Sequence, residues 1–320
     1  MKALRMHAVG GPEVLVVEDA PEPVPGRGQV LVRVRAAGLN FADTRFIRGQ
    51  YFVRPTLPDV PGMEAAGEVL AVGADVPGLA PGDRVLAIGR AAFAEQMLAS
   101  ATTTYRIPPG LDFERAAALG IQGLSAHHLL FLMGRLAKGE RVLIQAAAGG
   151  VGTIAVQLAK RAGATVVASA GRDKHALLSE LGADVLLDSR DDLLRQLKTS
   201  VGDVDVVLEM TGGTESYKRS FAALRARGRM IVYGAASGDT RGTFEPIGLM
   251  GRNLTIAGYH LTPLLTEREL CAPPLAELCD LAARGELRIV LGGKYPLAEA
   301  ARAFTALEGR GTTGKLVLIP

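Results

Sequence analysis

Between residues 142 and 160 the chain reads VLIQAAAGGVGTIAVQLAK. An apolar run enters a glycine cluster, and an apolar segment with helical spacing leaves it. Ala146, Gly149 and Gly152 match A-x-x-G-x-x-G, with Gly150 and Val151 inside the turn. Such a turn lets backbone come close to a pyrophosphate, while the amides that open the next helix, helped by its dipole, face the phosphates. The usual first glycine is alanine here, which is tolerable if its backbone angle is not left-handed. The competing reading is a strand-to-helix turn without a ligand, since a lone glycine pattern is weak evidence. Context favours the dinucleotide: the pattern follows a strand, opens a helix and leads to a second strand, TVVASA, at the expected distance.

The end of that second strand bears on which dinucleotide. An NAD site places Asp or Glu there, to accept hydrogen bonds from the ribose 2′-hydroxyl. Here the positions are Ser169, Ala170, Gly171 and Arg172, with Lys174 close behind. A hydroxyl, a permissive glycine and two cations suit a 2′-phosphate, so the expected cofactor is NADPH. Asp173 blunts that case, and the competing reading leaves Arg172 and Lys174 as solvated charges at a helix start.

These residues need a scaffold, and 320 residues favour two domains over one core. From Met1 to about Ala118 short alternating runs sit between turn signals. In QVLVRVRAAG, Val30, Val32 and Val34 face one way and Arg33 and Arg35 the other, a half-buried strand. AAGEVLAVG (65–73) and DRVLAIG (83–89) are similar, and this portion reads as an antiparallel β domain. From about Leu119, strands expected at 141–146, 165–170, 185–188, 204–210, 228–234 and 254–259 alternate with helices at 152–162, 174–182, 191–199 and 215–226. Such alternation predicts a parallel sheet covered on both faces, with the six strands of a doubly wound domain. A helix over roughly 266–284 follows, then a tail with another helix and a final strand, expected to fold back on the N-terminal domain.

Composition narrows the partners. Hydrophobic residues make up 48% and charged residues 22%, and a net charge of +3 is small for this length. Neither nucleic acid nor an anionic membrane is indicated as a partner. The N-terminus lacks the apolar core of a signal peptide and no apolar run is long enough to span a bilayer. The two cysteines, Cys271 and Cys279, fall in one expected helix and suit reduced, buried thiols. The expectation is an intracellular, cytoplasmic protein.

Several stretches in order, GGPEVL (10–15), GLNFADT (38–44), PGMEAAGEVLAVG (61–73), PGDRV (81–85), AAAGGVG (146–152), LGAD (181–184) and TGKLVLIP (313–320), carry a likeness over essentially the whole chain. The chain resembles the zinc-independent quinone oxidoreductases, the zeta-crystallin-like branch of the medium-chain dehydrogenases/reductases. The resemblance implies an α/β protein with a GroES-like catalytic domain over 1–118, completed by 290–320, and a Rossmann domain over 119–289. It puts the active site in the cleft between them. It further implies that Asn40, Tyr51, the 149–152 turn, Gly171 to Lys174, Gly234, Gly258, Tyr259, His260 and Lys315 lie near NADPH, and that the protein is a homodimer or homotetramer.

No metal is expected. Zinc-dependent relatives carry Cys where Asn40 stands and His where Met63 stands, and a cysteine-rich loop that this chain lacks. His127 and His128 point to different sides of a helix and read as helix residues, one partly buried. Two departures from the quinone reductases bear on substrate: Arg45 replaces a frequent tyrosine, and Ser189 replaces a strand-end tyrosine.

Without a metal to polarise a simple carbonyl, the fitting acceptor is one whose conjugation spreads the incoming charge. The expected reaction is NADPH-dependent quinone reduction, with Asn40 orienting ribose or nicotinamide and Tyr51 lining the substrate side. Arg45 either stabilises the anionic oxygen or makes an outward salt bridge, and Tyr51 has the alternative of simply packing a loop. Three rivals stay open: reduction of α,β-unsaturated carbonyls with Tyr51 or water as acid, non-catalytic NADPH binding, and a reductase modifying sugars or secondary metabolites.

Overall fold

In the computed structural model, which describes residues 1–320, the chain begins with β1 (Lys2–Met6), β2 (Leu15–Asp19), β3 (Gln29–Leu39), α1 (Phe41–Ile47), β4 (Glu64–Val72), β5 (Arg84–Ile88), β6 (Gln96–Ser100) and β7 (Thr104–Arg106). Short α2 (Phe113–Ala116) and α3 (Gly120–His127) lead into the alternating part. There β8 (Arg141–Ile144), α4 (Gly150–Arg161), β9 (Thr165–Ala170), α5 (His175–Glu180), β10 (Val185–Asp188), α6 (Leu193–Ser200), β11 (Val204–Glu209), α7 (Thr214–Ala223), β12 (Leu224–Val232) and β13 (Thr255–Gly258) follow. The chain closes with α8 (Leu261–Leu264), α9 (Arg268–Ala283), β14 (Leu291–Pro296), α10 (Ala300–Glu308) and β15 (Lys315–Ile319).

Two compact units result, Met1–Gln122 with Thr262–Pro320, and Gly123–Leu261. In the first, a seven-stranded sheet runs β14-β15-β3-β4-β5-β7, with β6 paired to β3. Along β3, Val30, Val32 and Val34 are buried and Arg33 and Arg35 exposed, as alternation requires of a strand with one wet face. The tail does fold back: β15 pairs antiparallel with β3, setting Leu316 opposite Leu39 and Leu318 opposite Ala37. Phe304 of α10 and Phe93 close the core edge to face, their ring centroids 6.0 Å apart.

In the second unit the order β10-β9-β8-β11-β12-β13 is parallel throughout, the arrangement of a doubly wound dinucleotide domain. Val142, Leu143 and Ile144 are all fully buried, as a central strand covered on both faces demands.

Residues 262–289 depart from the expected boundary, because they group with the first unit. Arg268, which opens α9, donates to the Thr102 carbonyl at 2.5 Å and lies over the Tyr105 ring at 4.9 Å. Helical periodicity locates such a helix but says nothing of which neighbour it covers. No helix is long and apolar enough to cross a membrane. Both cysteines are free and buried, and burial pushes the Cys279 thiol up to about 12.

Candidate functional site

Three strand ends in the first unit meet at one point. Register sets the start of β15 beside the end of β3, and Ala65 of β4 opposite Ala37 of β3. Asn40, Glu64 and Lys315 are thereby brought together, 4%, 0% and 1% exposed. Lys315 Nζ donates to Glu64 Oε1 at 2.5 Å and to Asn40 Oδ1 at 2.7 Å. Asn40 Nδ2 donates to Glu64 Oε1 at 2.9 Å and to the Gly38 carbonyl at 3.2 Å, while Glu64 Oε2 accepts from Ile121 N at 2.7 Å. The approach depends on small residues: a Cβ on Gly38 would lie 2.7 Å from Lys315 Cε and 2.8 Å from Glu64 Oε1. Both amide protons of Asn40 are therefore committed inside the protein. Contact with a cofactor through this amide requires one of those bonds to be exchanged, so Asn40 is first a member of the buried cluster.

Asp43, fully buried one turn into α1, accepts from Asn40 N at 2.8 Å. Burial above all pushes its carboxyl up to about 7, with Glu64 adding and Lys315 and the Asn40 amide opposing. A group that prefers its proton in the fold stabilises fully below the ordinary carboxyl range and loses that contribution as pH rises through about 7.

The glycine turn of the second unit has its expected form: β8 ends, residues 145–149 turn, and α4 opens at Gly150 with Gly149 as N-cap. A Cβ on Gly152 would stand 2.5 Å from the Ala147 carbonyl oxygen and 2.6 Å from that of Ala146, both backbone, so only glycine lets helix and turn pack. Ala146 corrects the expectation. Its φ is +48°, in the left-handed region that an L side chain tolerates only at a cost of roughly 1 kcal/mol. Ala146→Gly is therefore expected to stabilise the protein by up to about 1 kcal/mol in urea unfolding; a clear loss would show that the turn carries no strain.

A buried network fixes the rim from which the turn springs. Gln145 follows β8, and Glu209 ends the adjacent β11. Glu209 accepts from Thr211 N (2.9 Å), Gly212 N (3.0 Å), Ser216 Oγ (2.9 Å), Gln145 Nε2 (2.7 Å) and Ser220 Oγ. So many donors compensate a carboxylate without any cation. Sequence reasoning missed this pair. The available signal was a Gln directly after the apolar run VLI and a Glu directly after the apolar run VVL.

At the next strand ends, Ser169 is buried and its carbonyl accepts from Ala147 N at 3.1 Å, tying the turn to β9. Gly171, Arg172 and Lys174 follow β9 directly, and Arg190, which was not anticipated, lies beside Gly171. Its Nη2 would lie 3.3 Å from a Cβ on Gly171 and stands 3.6 Å from Asp173 Oδ1. Arg172 Nε binds Asp188 Oδ2 at 2.8 Å. Burial pushes the Lys174 ammonium down, Asp173 opposing and Arg190 adding. Arg172 and Arg190 are each paired with a carboxylate beside this segment, which also carries Lys174. Arg190 was missed because it lies one strand away and only the β9–β10 pairing delivers it.

Residues 26–130 match the alcohol dehydrogenase GroES-like domain and residues 150–272 the zinc-binding dehydrogenase family model. Quinone oxidoreductase of Pseudomonas aeruginosa is 37% identical, covering 100% of this chain and 99% of that protein. The chain belongs to the quinone oxidoreductase branch of the medium-chain dehydrogenase/reductase superfamily. Escherichia coli quinone oxidoreductase complexed with NADPH superimposes with a TM-score of 0.93 at 33% identity, each chain covered in full. The human synaptic vesicle membrane protein VAT-1 homolog is 33% identical over 100% of this chain and 86% of that protein.

As a member of this quinone oxidoreductase branch, the chain has donors that do not fit zinc. An amide and a thioether stand at Asn40 and Met63, the Lys315 ammonium already neutralises Glu64, and no three His, Cys, Asp or Glu side chains converge to hold a metal. His127 and His128 have ring centroids 5.9 Å apart in T-shaped contact, His128 being the buried one. Tyr259 is brought to His128, whose Nδ1 lies 3.2 Å from the phenol oxygen, and Tyr259 N donates to Val232 O at 2.8 Å. Gly258 ends β13 opposite Val232, and Gly234 follows β12 with Met210 O 3.0 Å from where its Cβ would be. His260 is half-buried, which pushes its imidazole down. Tyr51 is half-buried against the core of the first unit, in edge contact with Phe52 at 5.4 Å. Arg45 Nη1 donates to Gln50 Oε1 at 3.0 Å, and the guanidinium lies over Phe41 at 5.5 Å.

Proposed function

We propose that the protein is an NADPH-dependent quinone reductase that works without a metal. The observation that carries this reading is the basic corner of Gly171, Arg172, Lys174 and Arg190 beyond a complete glycine turn, in a chain alike from end to end to quinone oxidoreductases. Bound there, NADPH supplies a hydride. Gly149, Gly150, Val151 and Gly152 present the turn and first amides of α4 to the pyrophosphate, and Ser169 with the three cations receives the 2′-phosphate. Gly234, Gly258, Tyr259 and His260 line the remaining cofactor path at the ends of β12 and β13. Tyr51 shapes the acceptor side, and Arg45, held to Gln50, acts there only if released. Lys315 and Glu64 hold Asn40 rigid, so that orientation is built in before ligands arrive.

A conjugated acceptor suits this chemistry, because the incoming charge spreads onto its own oxygen. Free, buried Cys271 and Cys279 support a cytoplasmic setting. Exposed Ile247 and Met250, together with the open edge of β13, support a homodimer or homotetramer. The test follows cofactor absorbance with ortho-quinones, para-quinones and enals. Oxidation of NADPH by quinones, faster than by enals and faster than with NADH, is expected; turnover with enals alone would replace this reading.

A further inference from the structure

The sheet of the second unit places β8 between β9 and β11, so the strand order reverses at β8. In open parallel sheets the crevice at such a reversal takes the ligand, with one half of a dinucleotide on each side. The glycine turn after β8 and the basic corner after β9 serve the adenosine half. The ends of β11 and β12 are left for the nicotinamide half, and a buried acid closes the first of them.

Glu209 is fully buried, and three of its five partners, Thr211 N, Gly212 N and Gln145 Nε2, can only donate. An ionised carboxylate satisfies them all. Gln145 reaches across from the end of β8. Its Oε1 accepts from Met210 N at 3.1 Å, Thr211 N at 3.3 Å and Thr211 Oγ1 at 2.9 Å. Because backbone N–H groups only donate, these bonds fix the amide orientation and leave Nε2 for Glu209. Ser220 of α7 closes the ring, its Oγ accepting from Gln145 Nε2 at 3.0 Å and donating to Glu209.

What these bonds hold is backbone. Each N–H from Met210 to Gly212 is tied to the pair. That segment in turn carries the loop after β12: Ala236 N donates to Met210 O at 3.0 Å and Ser237 N to Thr211 O at 2.8 Å. Gly212, at φ +76°, permits the approach, since a Cβ there would stand 2.9 Å from Ala235 Cα. Gln145 directly precedes Ala146, so one buried pair connects the glycine turn to both strand-end loops across the reversal.

We propose that Glu209 and Gln145 are positioning residues for the nicotinamide half of NADPH. They set the loops at 210–213 and 234–237 against the glycine turn before the cofactor arrives, so that binding does not have to order them. Both side chains are buried and act through the backbone they hold.

This inference rests on the NADPH reading, and two probes separate them. Wild type, Glu209→Gln and the exchange of Gln145→Glu with Glu209→Gln are titrated by calorimetry with NADPH and with 2′,5′-ADP, which carries the 2′-phosphate but no nicotinamide. Glu209→Gln sets two amide NH2 groups against each other and is expected to weaken NADPH binding about tenfold, with 2′,5′-ADP within about twofold of wild type. The exchange restores one donor facing one acceptor and is expected to bring NADPH back to within about threefold of wild type. Ser220→Ala removes the hydroxyl shared by the pair and is expected to weaken NADPH about threefold and 2′,5′-ADP not at all, which keeps the inference testable if Glu209→Gln does not fold. Equal losses for both probes, unchanged NADPH affinity in the single variants, or an exchange no better than Glu209→Gln alone overturns the positioning role by itself. A wild type that binds neither probe overturns the NADPH reading and the inference with it.

Discussion

Lys315→Met is expected to destabilise the first unit by about 3–5 kcal/mol, read as a shift in its urea unfolding midpoint. Lys315 is 1% exposed and supplies the only cation to a cluster holding Glu64 at 2.5 Å and Asn40 at 2.7 Å. Methionine fills much the same volume, so little of the effect comes from packing. The cost arises because the fully buried Glu64 side chain loses its one cationic partner and keeps only the Asn40 and Ile121 hydrogen bonds. Adding Glu64→Gln to Lys315→Met should therefore restore a large part of the loss, a coupling that a double-mutant cycle measures directly. The restored fraction matters more than the first number. If Lys315→Met costs under about 1 kcal/mol, the pair behaves as an exposed one and the cluster does not hold the strand ends.

Cofactor choice should respond as strongly at the other unit. Arg190→Ala is expected to weaken NADPH binding about tenfold and Arg172→Asp about 100-fold, with NADH affinity within about twofold of wild type. The reasoning is local. Arg172 and Arg190 sit in exposed pairs with Asp188 and Asp173, and such pairs are worth little, so a phosphate exchanges them easily. Arg172→Asp would instead set a third carboxylate beside Asp173 and Asp188. It would also restore an acceptor suited to a free 2′-hydroxyl. Fluorescence titration of both cofactors against each variant provides the check. Equal losses for NADH and NADPH would mean that these side chains support the fold of the corner and do not read the phosphate.

Much of the fold was legible because it depends on local pattern. The alternation along β3, the six strands of the second unit and the start of α4 follow from spacing of apolar residues and glycine, which each segment expresses by itself. Ends were less certain: β8 stops at Ile144, two residues short of expectation, because the backbone turns at Ala146, whose φ is +48°. The placement of α9 was not legible, since its partners Thr102 and Tyr105 lie more than 160 residues away in the chain.

The candidate site divides in the same way. The glycine turn, the lack of an acid at the end of β9 itself and the donors unsuited to zinc at Asn40 and Met63 are written in residue types, and the sequence by itself determined them. What only the tertiary structure decided is pairing: Lys315 against Glu64 across three strand ends, Arg190 beside Gly171 across one strand, Asp43 buried with a bare oxygen, and Ala146 in the left-handed region. The reason is physical. Hydrogen-bonding capacity and charge belong to a residue, but burial, counter-ion and backbone angle are imposed by neighbours that register and packing bring from elsewhere in the chain.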